Sequence, residues 1–428
     1  MMANESTLPI RDLNILDNSI IKVVGVGGGG CNAVNYMYRQ GHDNVSFLVC
    51  NTDKMALEKM SVPAKLQLGP GLGAGGRPQV AKEYAEETEH RIREALDDGT
   101  RMVFITAGMG GGTGTGASPV IARIAQEMGI LTVGIVTIPF RFELGKAIRK
   151  AMRGIATLAQ FTDALLVINN EKLKLLFPDL DLPNAFQKAD EVLCKAAISI
   201  AEIITIPGYI NTDFQDVYNT LKDGNVAIMN VGMAEGEERI TKAIENALNS
   251  PLVNTNDVRG ASRILLSLYC SESNAIRMQE FDQVQRFCDS VGDEVDVRWG
   301  ASYDNSLGDK VKVTIIATGY SVSDIPGLDE AVQTEEQPKE KVPNTLTIEQ
   351  AENKLYADTK PQEAEKNVQE AETEQPQQES QTEHTISEQT AEVIDIEPDN
   401  NNVITFNLDT DNIFSQTDNL TSFFKKRR

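Results

Sequence analysis

Histidine is almost missing from this chain, with three in 428 residues, and no H-E-x-x-H pair occurs, which argues against a protein-ligated zinc centre. The five cysteines, Cys31, Cys50, Cys194, Cys270 and Cys288, are odd in number and scattered, with no C-x-x-C pair, so they read as reduced thiols of a cytosolic protein. No apolar run approaches the roughly 20 residues that a membrane span needs, and Met1 to Asn18 is too polar and charged for a signal peptide. A basic stripe interleaved with aromatics is lacking before the last four residues, so nucleic acid is not an expected partner. Internal repeats are lacking as well. The expectation is a soluble, cytoplasmic protein with no transmembrane segment and no protein-ligated metal.

What the chain has is glycine in dense clusters. Gly108-Met109-Gly110-Gly111-Gly112-Thr113-Gly114-Thr115-Gly116 follows Met102 to Thr106, an apolar run that reads as a buried strand. A run without Cβ atoms lets backbone N–H groups close on an anion. The next residues, Ala117 to Met128, carry apolar side chains at helical spacing with an early proline suited to a first turn, so the loop should feed a helix N-terminus that favours negative charge. No lysine follows the glycines as a GxxxxGK[ST] loop requires, which leaves the contact to backbone and threonine hydroxyls.

Short apolar runs recur at Ile20 to Val26, Val45 to Val49, Met102 to Thr106, Thr132 to Thr137 and Leu165 to Ile168, with a helical pattern starting at Asn32. Runs without polar alternation suit strands covered on both faces, hence an α/β fold with a Rossmann-like parallel sheet whose ligand sits at the carboxyl ends of the strands. A long apolar stripe from Phe186 to Thr205 predicts a helix of about five turns joining two domains. Beyond it, strands near Val226 to Val231, Ile264 to Tyr269, Val295 to Trp299 and Val311 to Thr318, with helices near Gly236 to Asn249 and Ala275 to Ser290, predict a smaller α+β domain ending near Ser321. Trp299 reads as a core residue. Residues 329 to 400 hold 20 Asp and Glu against 5 Lys, a net of −15 out of −23 for the chain, and almost no aromatics. Such a stretch cannot bury enough apolar surface to order itself and reads as a disordered acidic linker.

Gly25-Val26-Gly27-Gly28-Gly29-Gly30 satisfies G-x-G-x-x-G after a strand, with Asp53 some twenty residues on. By itself that is a dinucleotide fingerprint, and an NAD(P)-binding Rossmann enzyme stays open as an alternative. A second, richer glycine loop has no place in such a site. Two phosphate loops fit a triphosphate better.

Gly110 to Gly116 resembles the signature of the tubulin and FtsZ superfamily of GTPases. Its neighbours agree in order: Gly25 to Val34 is similar to the family's first phosphate loop, Asn51-Thr52-Asp53 to the second, Gly71-Leu72-Gly73-Ala74-Gly75-Gly76 to the third, Pro139-Phe140-Arg141-Phe142-Glu143 to the fifth, and Asn211-Thr212-Asp213-Phe214-Gln215-Asp216-Val217 to the N-x-D-F-x-D-V catalytic loop. The likeness spans about residues 20 to 320. It implies a GTPase that polymerises head-to-tail as a division-ring scaffold at the division site, with GTP as substrate and Mg²⁺ on its phosphates. It implies an N-terminal extension over 1–19, a GTP-binding domain over 20–185, a central helix over 186–208, an α+β domain over 209–321, an acidic linker over 322–402 and an interaction peptide over 403–428.

Residue by residue, the resemblance puts Gly28, Gly29, Gly30 and Asn32 on the phosphates with Gly110, Gly111, Gly112, Thr113, Gly114 and Thr115, and adds Asn51, Gly73, Ala74 and Gly75. Glu143 and Asn170 would meet the ribose and base edge, and Phe186 would stack on guanine, core packing being its other reading. Asp190 makes chemical sense without the family, since a carboxylate only accepts and guanine offers two donors on one edge. One departure stands out: where the family has an arginine four residues after the fifth-loop glutamate, this chain has Ala147, and Leu144 replaces a glycine. Lys146 or Arg149 are candidates to substitute, and a GTP-binding scaffold with weak turnover is the third reading.

Catalysis would fall to Asn211, Asp213 and Asp216 after the long helix; if that helix runs across the molecule they are out of reach of the subunit's own nucleotide, and the resemblance implies that head-to-tail assembly completes the site, capping of a turn being the other reading of the two aspartates. Leu420 to Arg428 loosely resembles the family's C-terminal I-P-x-F-L-R peptide, with Leu420, Phe423, Phe424 and Lys425 in matching places and the proline absent. That implies a membrane-tethering adaptor as partner, reached by a linker that spans about 45 to 50 Å as a flexible coil.

Overall fold

In the computed structural model, residues 19–42, 44–143, 145–249, 258–292, 294–321 and 325 are described. The expected N-terminal extension, acidic linker and C-terminal interaction peptide lie, apart from Ser19 and Ile325, outside those residues. From the amino end the chain runs β1 (Ile21–Val26), α1 (Gly27–Gln40), β2 (Ser46–Asn51), α2 (Lys54–Glu58), β3 (Lys65–Gln67), α3 (Pro78–Glu87), α4 (Glu89–Leu96), β4 (Met102–Gly108), α5 (Thr113–Glu127), β5 (Leu131–Ile138), α6 (Gly145–Ala159) and β6 (Ala164–Asn169). It continues as α7 (Glu171–Leu176), α8 (Leu182–Thr205), α9 (Phe214–Leu221), β7 (Asn225–Ala234), α10 (Arg239–Leu248), β8 (Arg263–Cys270), α11 (Phe281–Val291), β9 (Asp296–Tyr303) and β10 (Val311–Tyr320).

The strands form one sheet in the order β3-β2-β1-β4-β5-β6-β7-β10-β8-β9. Its first six strands pair in parallel, in the doubly wound order in which the chain reverses direction between β1 and β4. β7 joins β6 in parallel through only two residue pairs, Ala164 with Asn225 and Leu165 with Val226. β10 lies antiparallel between β7 and β8, and β9 pairs in parallel with β8, so among the described strands β10 alone runs against the rest. β1 and β5 are buried along their whole length, as strands covered on both faces must be.

Three helix starts differ from the sequence expectation. α1 begins at Gly27, not Asn32, so the first glycine cluster is itself the first turn of a helix. The close fit explains it: a Cβ on Gly30 would lie 2.1 Å from the Thr106 carbonyl oxygen, and Gly27 turns out of the strand at φ +74°. α5 likewise begins at Thr113, which moves Pro119 from a first turn to the helix interior. Helix α8 starts at Leu182, four residues before the expected Phe186, because Asp181 accepts from the Asn184 N–H as its cap and a proline occupies the first turn.

The placement of α8 decides the rest. At its amino end, Phe186 packs edge-on against Phe140, just beyond the carboxyl end of β5. At its other end, the Thr205 hydroxyl takes a bond from Asn44, just ahead of the first residue of β2. The helix therefore crosses from the carboxyl edge of the sheet to the amino edge, about 28 Å between those two residues. Helix α9 stays at the amino edge, with Lys222 beyond its end paired at 2.6 Å to Asp163, next to the first residue of β6.

Candidate nucleotide site

The crevice between β1 and β4 gathers the glycines. Gly28 and Gly29 stand exposed in the first turn of α1, where N–H groups have no partner within the helix. The facing turn is shaped from within: the Gly110 N–H donates to the Thr115 hydroxyl at 2.9 Å, and the Thr52 and Thr113 hydroxyls meet at 2.6 Å. The third loop is hung from the second, since the Gly73 N–H donates to the Thr52 carbonyl and Leu72 bridges to Asp53. Its Ala74 and Gly76 close over Gly112, where an added Cβ would meet them at 3.0 and 3.3 Å. By contrast, Gly28, Gly73 and Gly111 look into open space, with nothing within 4 Å of an added Cβ. The three loops thus wall a space whose lining is backbone amide and hydroxyl, which suits phosphate.

Beside it lies an aromatic and acidic pocket. Phe140 stacks on Phe142 at 5.0 Å and meets Phe186 edge-on at 5.2 Å, while Phe186 keeps 39% of its surface exposed, so core packing and ligand contact share that ring. One turn along α8, Asp190 makes no hydrogen bond or ion pair among the described residues, and burial lifts its carboxyl to about 7. Glu143 accepts from the Phe140 N–H at 3.0 Å, and burial raises its carboxyl in spite of that bond. Asn170 is buried after β6 with its side-chain oxygen unpartnered. An acceptor held without a donor costs free energy that a ligand donor would return.

Asn32 is exposed on α1, and Asn51 is buried, its side-chain oxygen accepting from the Asp53 N–H at 3.3 Å. Asp53 spends a carboxylate oxygen on the Ala56 N–H as the cap of α2, which weakens the ribose role that a dinucleotide site would ask of it. Lys146 and Arg149 are exposed and, among the described residues, bond to none of the loops. Lys150, which the sequence reading passed over, donates to the Gly76 carbonyl at 2.5 Å. Its signal was visible only as helical spacing, one turn after Ala147.

The acidic residues sit at the other edge. Asp213 caps α9 by accepting from the Asp216 N–H at 3.0 Å, and Asp216 returns the bond from the Asp213 N–H at 3.2 Å, so the capping reading is correct as local structure. The second Asp216 oxygen pairs with Arg298 at 2.6 Å, a partner that no motif or spacing marks. Asp213 is exposed, and only one of its two oxygens is engaged among the described residues. The segment before it is pinned to β9 by two backbone bonds between Ile210 and Ala301, and Asn211 accepts from the Gly208 N–H at 3.3 Å.

Four of the five thiols are buried and none is paired, with burial pushing Cys50 and Cys194 up to about 12. Trp299 packs partly buried against Phe281, as a core residue should. Among the described residues no helix is long and apolar enough to cross a membrane.

Comparison with known proteins adds the following. The model of the Tubulin/FtsZ family GTPase domain matches residues 20–177, and that of the FtsZ family C-terminal domain matches residues 225–321. The cell division protein FtsZ of Porphyromonas gingivalis is 52% identical over 308 residues, 71% of this chain and 67% of that protein. That of Aquifex aeolicus is 44% identical over 306 residues, 70% of this chain and 83% of its own. Among solved structures, an empty FtsZ dimer of M. jannaschii superposes with a TM-score of 0.64 at 35% identity, covering 76% of this chain and 94% of that one.

Proposed function

The chain belongs to the FtsZ family of tubulin-like GTPases, and from that premise we propose that it holds GTP between its glycine loops, hydrolyses it at a site completed by the next subunit, and polymerises head-to-tail at the site of cell division. The observation that carries the reading is the span of α8. Its amino end borders the aromatic pocket and its other end delivers Asn211, Asp213 and Asp216 to the opposite edge of the sheet. A subunit cannot fold those carboxylates back over its own phosphates. A second subunit stacked in the same orientation can present them, and such a heterologous contact repeats without closing.

In this mechanism the N–H groups of Gly28, Gly29, Gly30, Gly111, Gly112, Thr113 and Gly114 receive the phosphates, with Gly73, Ala74 and Gly75 over the terminal one. Phe186 stacks on the base while Asp190 accepts from guanine, and Glu143 and Asn170 take the ribose and base edge. The incoming Asp213, one of whose oxygens is unengaged among the described residues, orients the water and accepts its proton as the water oxygen bonds to the terminal phosphorus and the bond from that phosphorus to the β-phosphate oxygen breaks, releasing GDP. Asp216, tied to Arg298, fixes the loop. Phosphoryl transfer depends chiefly on such placement and electrostatics. Mg²⁺ bound together with the nucleotide would neutralise charge on its phosphates. Leu420 to Arg428 serves as the docking peptide for a membrane-tethering adaptor.

The test is GTP turnover per molecule against protein concentration, with sedimentation of the same samples. The rate should rise above a threshold at which pelleted protein first appears. A rate per molecule that stays flat across that threshold would remove the shared site while leaving GTP binding untouched.

A further inference from the structure

The phosphate space described above is lined chiefly by backbone amides and hydroxyls, yet a nucleoside triphosphate brings about three to four negative charges. Helix α6 lies along one side of it. The Ala147 carbonyl oxygen faces Gly110, 3.0 Å from an added Cβ, and a Cβ on Gly154 would touch the Thr115 methyl at 2.5 Å, so the face carrying residues 147, 150 and 154 is turned to the glycine loops. Position 147 offers a methyl group only. One turn on, Lys150 donates to the Gly76 carbonyl at 2.5 Å, and Gly76 itself lies against Gly112 at the head of α5.

That single bond uses one of three ammonium donors, and among the described residues no carboxylate pairs with Lys150. A cation tied to a neutral carbonyl at the rim of an anion site is a counter-charge awaiting its partner. We propose that Lys150 supplies the positive charge at the phosphate end of this site, tethering the loop of residues 71–76 through Gly76 and placing its ammonium beside the terminal phosphate. The proposal rests on the GTP-binding reading and adds a residue to it. Two other cations stand beside this loop: Arg77, exposed at the start of α3, and Lys54, whose backbone N–H donates to the Gly71 carbonyl at 3.0 Å.

The experiment measures binding of guanosine, GDP and GTP to the nucleotide-free full chain by calorimetry, for the parent and for Lys150→Ala, Lys150→Met, Lys150→Arg and Arg77→Ala. Loss of one charge-assisted contact predicts about ten-fold or more weaker GTP binding in Lys150→Ala and Lys150→Met, a smaller loss for GDP and none for guanosine. Lys150→Arg should restore most of the GTP affinity, and the salt dependence of GTP binding should be shallower in the two neutral variants. An equal loss for all three ligands would mean mere damage to the loop and would overturn the proposal. An equally GTP-selective loss in Arg77→Ala would overturn it too, by assigning the effect to general surface charge. Should Lys150→Ala fail to fold, Lys150→Met keeps the stem and decides the matter. A parent that binds GTP while its Lys150 variants keep the parent's ratio of GTP to GDP affinity sinks this inference alone, whereas a parent that binds no guanine nucleotide sinks the reading beneath it.

Discussion

The two edges of the sheet solve opposite problems. At the carboxyl edge the proposed phosphate contacts are backbone: glycines packed against one another and hydroxyls bonded across the crevice, with Asp190 beside them making no bond among the described residues. At the amino edge the working groups are side chains, and their geometry is fixed by mutual capping and by an ion pair to Arg298. On the proposed reading the first edge receives charge and the second brings it, and neither is a complete site. On that same reading the fold separates binding from chemistry by a helix length, so each half can be altered without the other.

The sharpest way to break that comparison is at the amino edge. Asp213→Asn keeps a good helix cap, because asparagine caps as well as aspartate, but removes the carboxylate; GTP turnover measured by phosphate release should fall by about 10² or more with GTP affinity within about two-fold of the parent. If the capping role were all that mattered, turnover would survive this change. At the carboxyl edge, Gly30→Ala places a methyl group on the Thr106 carbonyl oxygen and should lower the denaturation midpoint sharply, by about 1–3 kcal/mol or more of stability. The same readout for Gly28→Ala, whose Cβ would meet open space, should change little while GTP binding weakens.

Asp190 yields a pH prediction. Its carboxyl is raised to about 7 by burial, and acceptance from guanine requires the anion, so GTP should bind up to about ten-fold more tightly at pH 8 than at pH 6, and Asp190→Asn should flatten that profile. The sign for stability is the reverse. A folded pKa above the unfolded one means that stability is fully present below about pH 4 and is lost as pH rises through 7. Nucleotide-free Asp190→Asn should therefore melt above the parent at pH 8, with the gap closing at low pH. The smallest expected effect belongs to Arg298→Ala, which frees one Asp216 oxygen but leaves the capping box: a few-fold lower kcat at unchanged KM, recovered in part by Arg298→Lys.

Much of this was legible in the chain, because the carboxyl edge is written in contiguous residues. Gly108 to Gly116 announces a phosphate loop, and the apolar runs of β1, β4, β5 and β6 lie within a residue or two of where they were expected. What could not be read depends on contacts between distant segments. The start of α1 at Gly27 follows from the closeness of Thr106, seventy-six residues from Gly30 in the chain. Arg298 meets Asp216 across eighty-two residues, and nothing in the spacing of either marks the pair. Strand β3 has three residues, too few for a periodic signal, and is recruited by pairing with β2. Lys150 was hidden for a subtler reason: helical phase, more than proximity to Ala147 in sequence, decides which cation faces the loops.

Helix α8 is usefully regarded as a gauge block. Each residue inserted into it would advance everything downstream by about 1.5 Å and swing it by about 100°. Loops at either edge can grow or shrink and merely change local shape, but a single insertion between Asp190 and Thr205 would turn Asp213 away from the axis along which subunits stack. The buried stripe of α8 would have to repack around the insertion, and on the proposed reading even a chain that did so and bound its ligand would be unable to serve its neighbour. The length of this one segment is thus a tolerance imposed on each subunit by the one beside it.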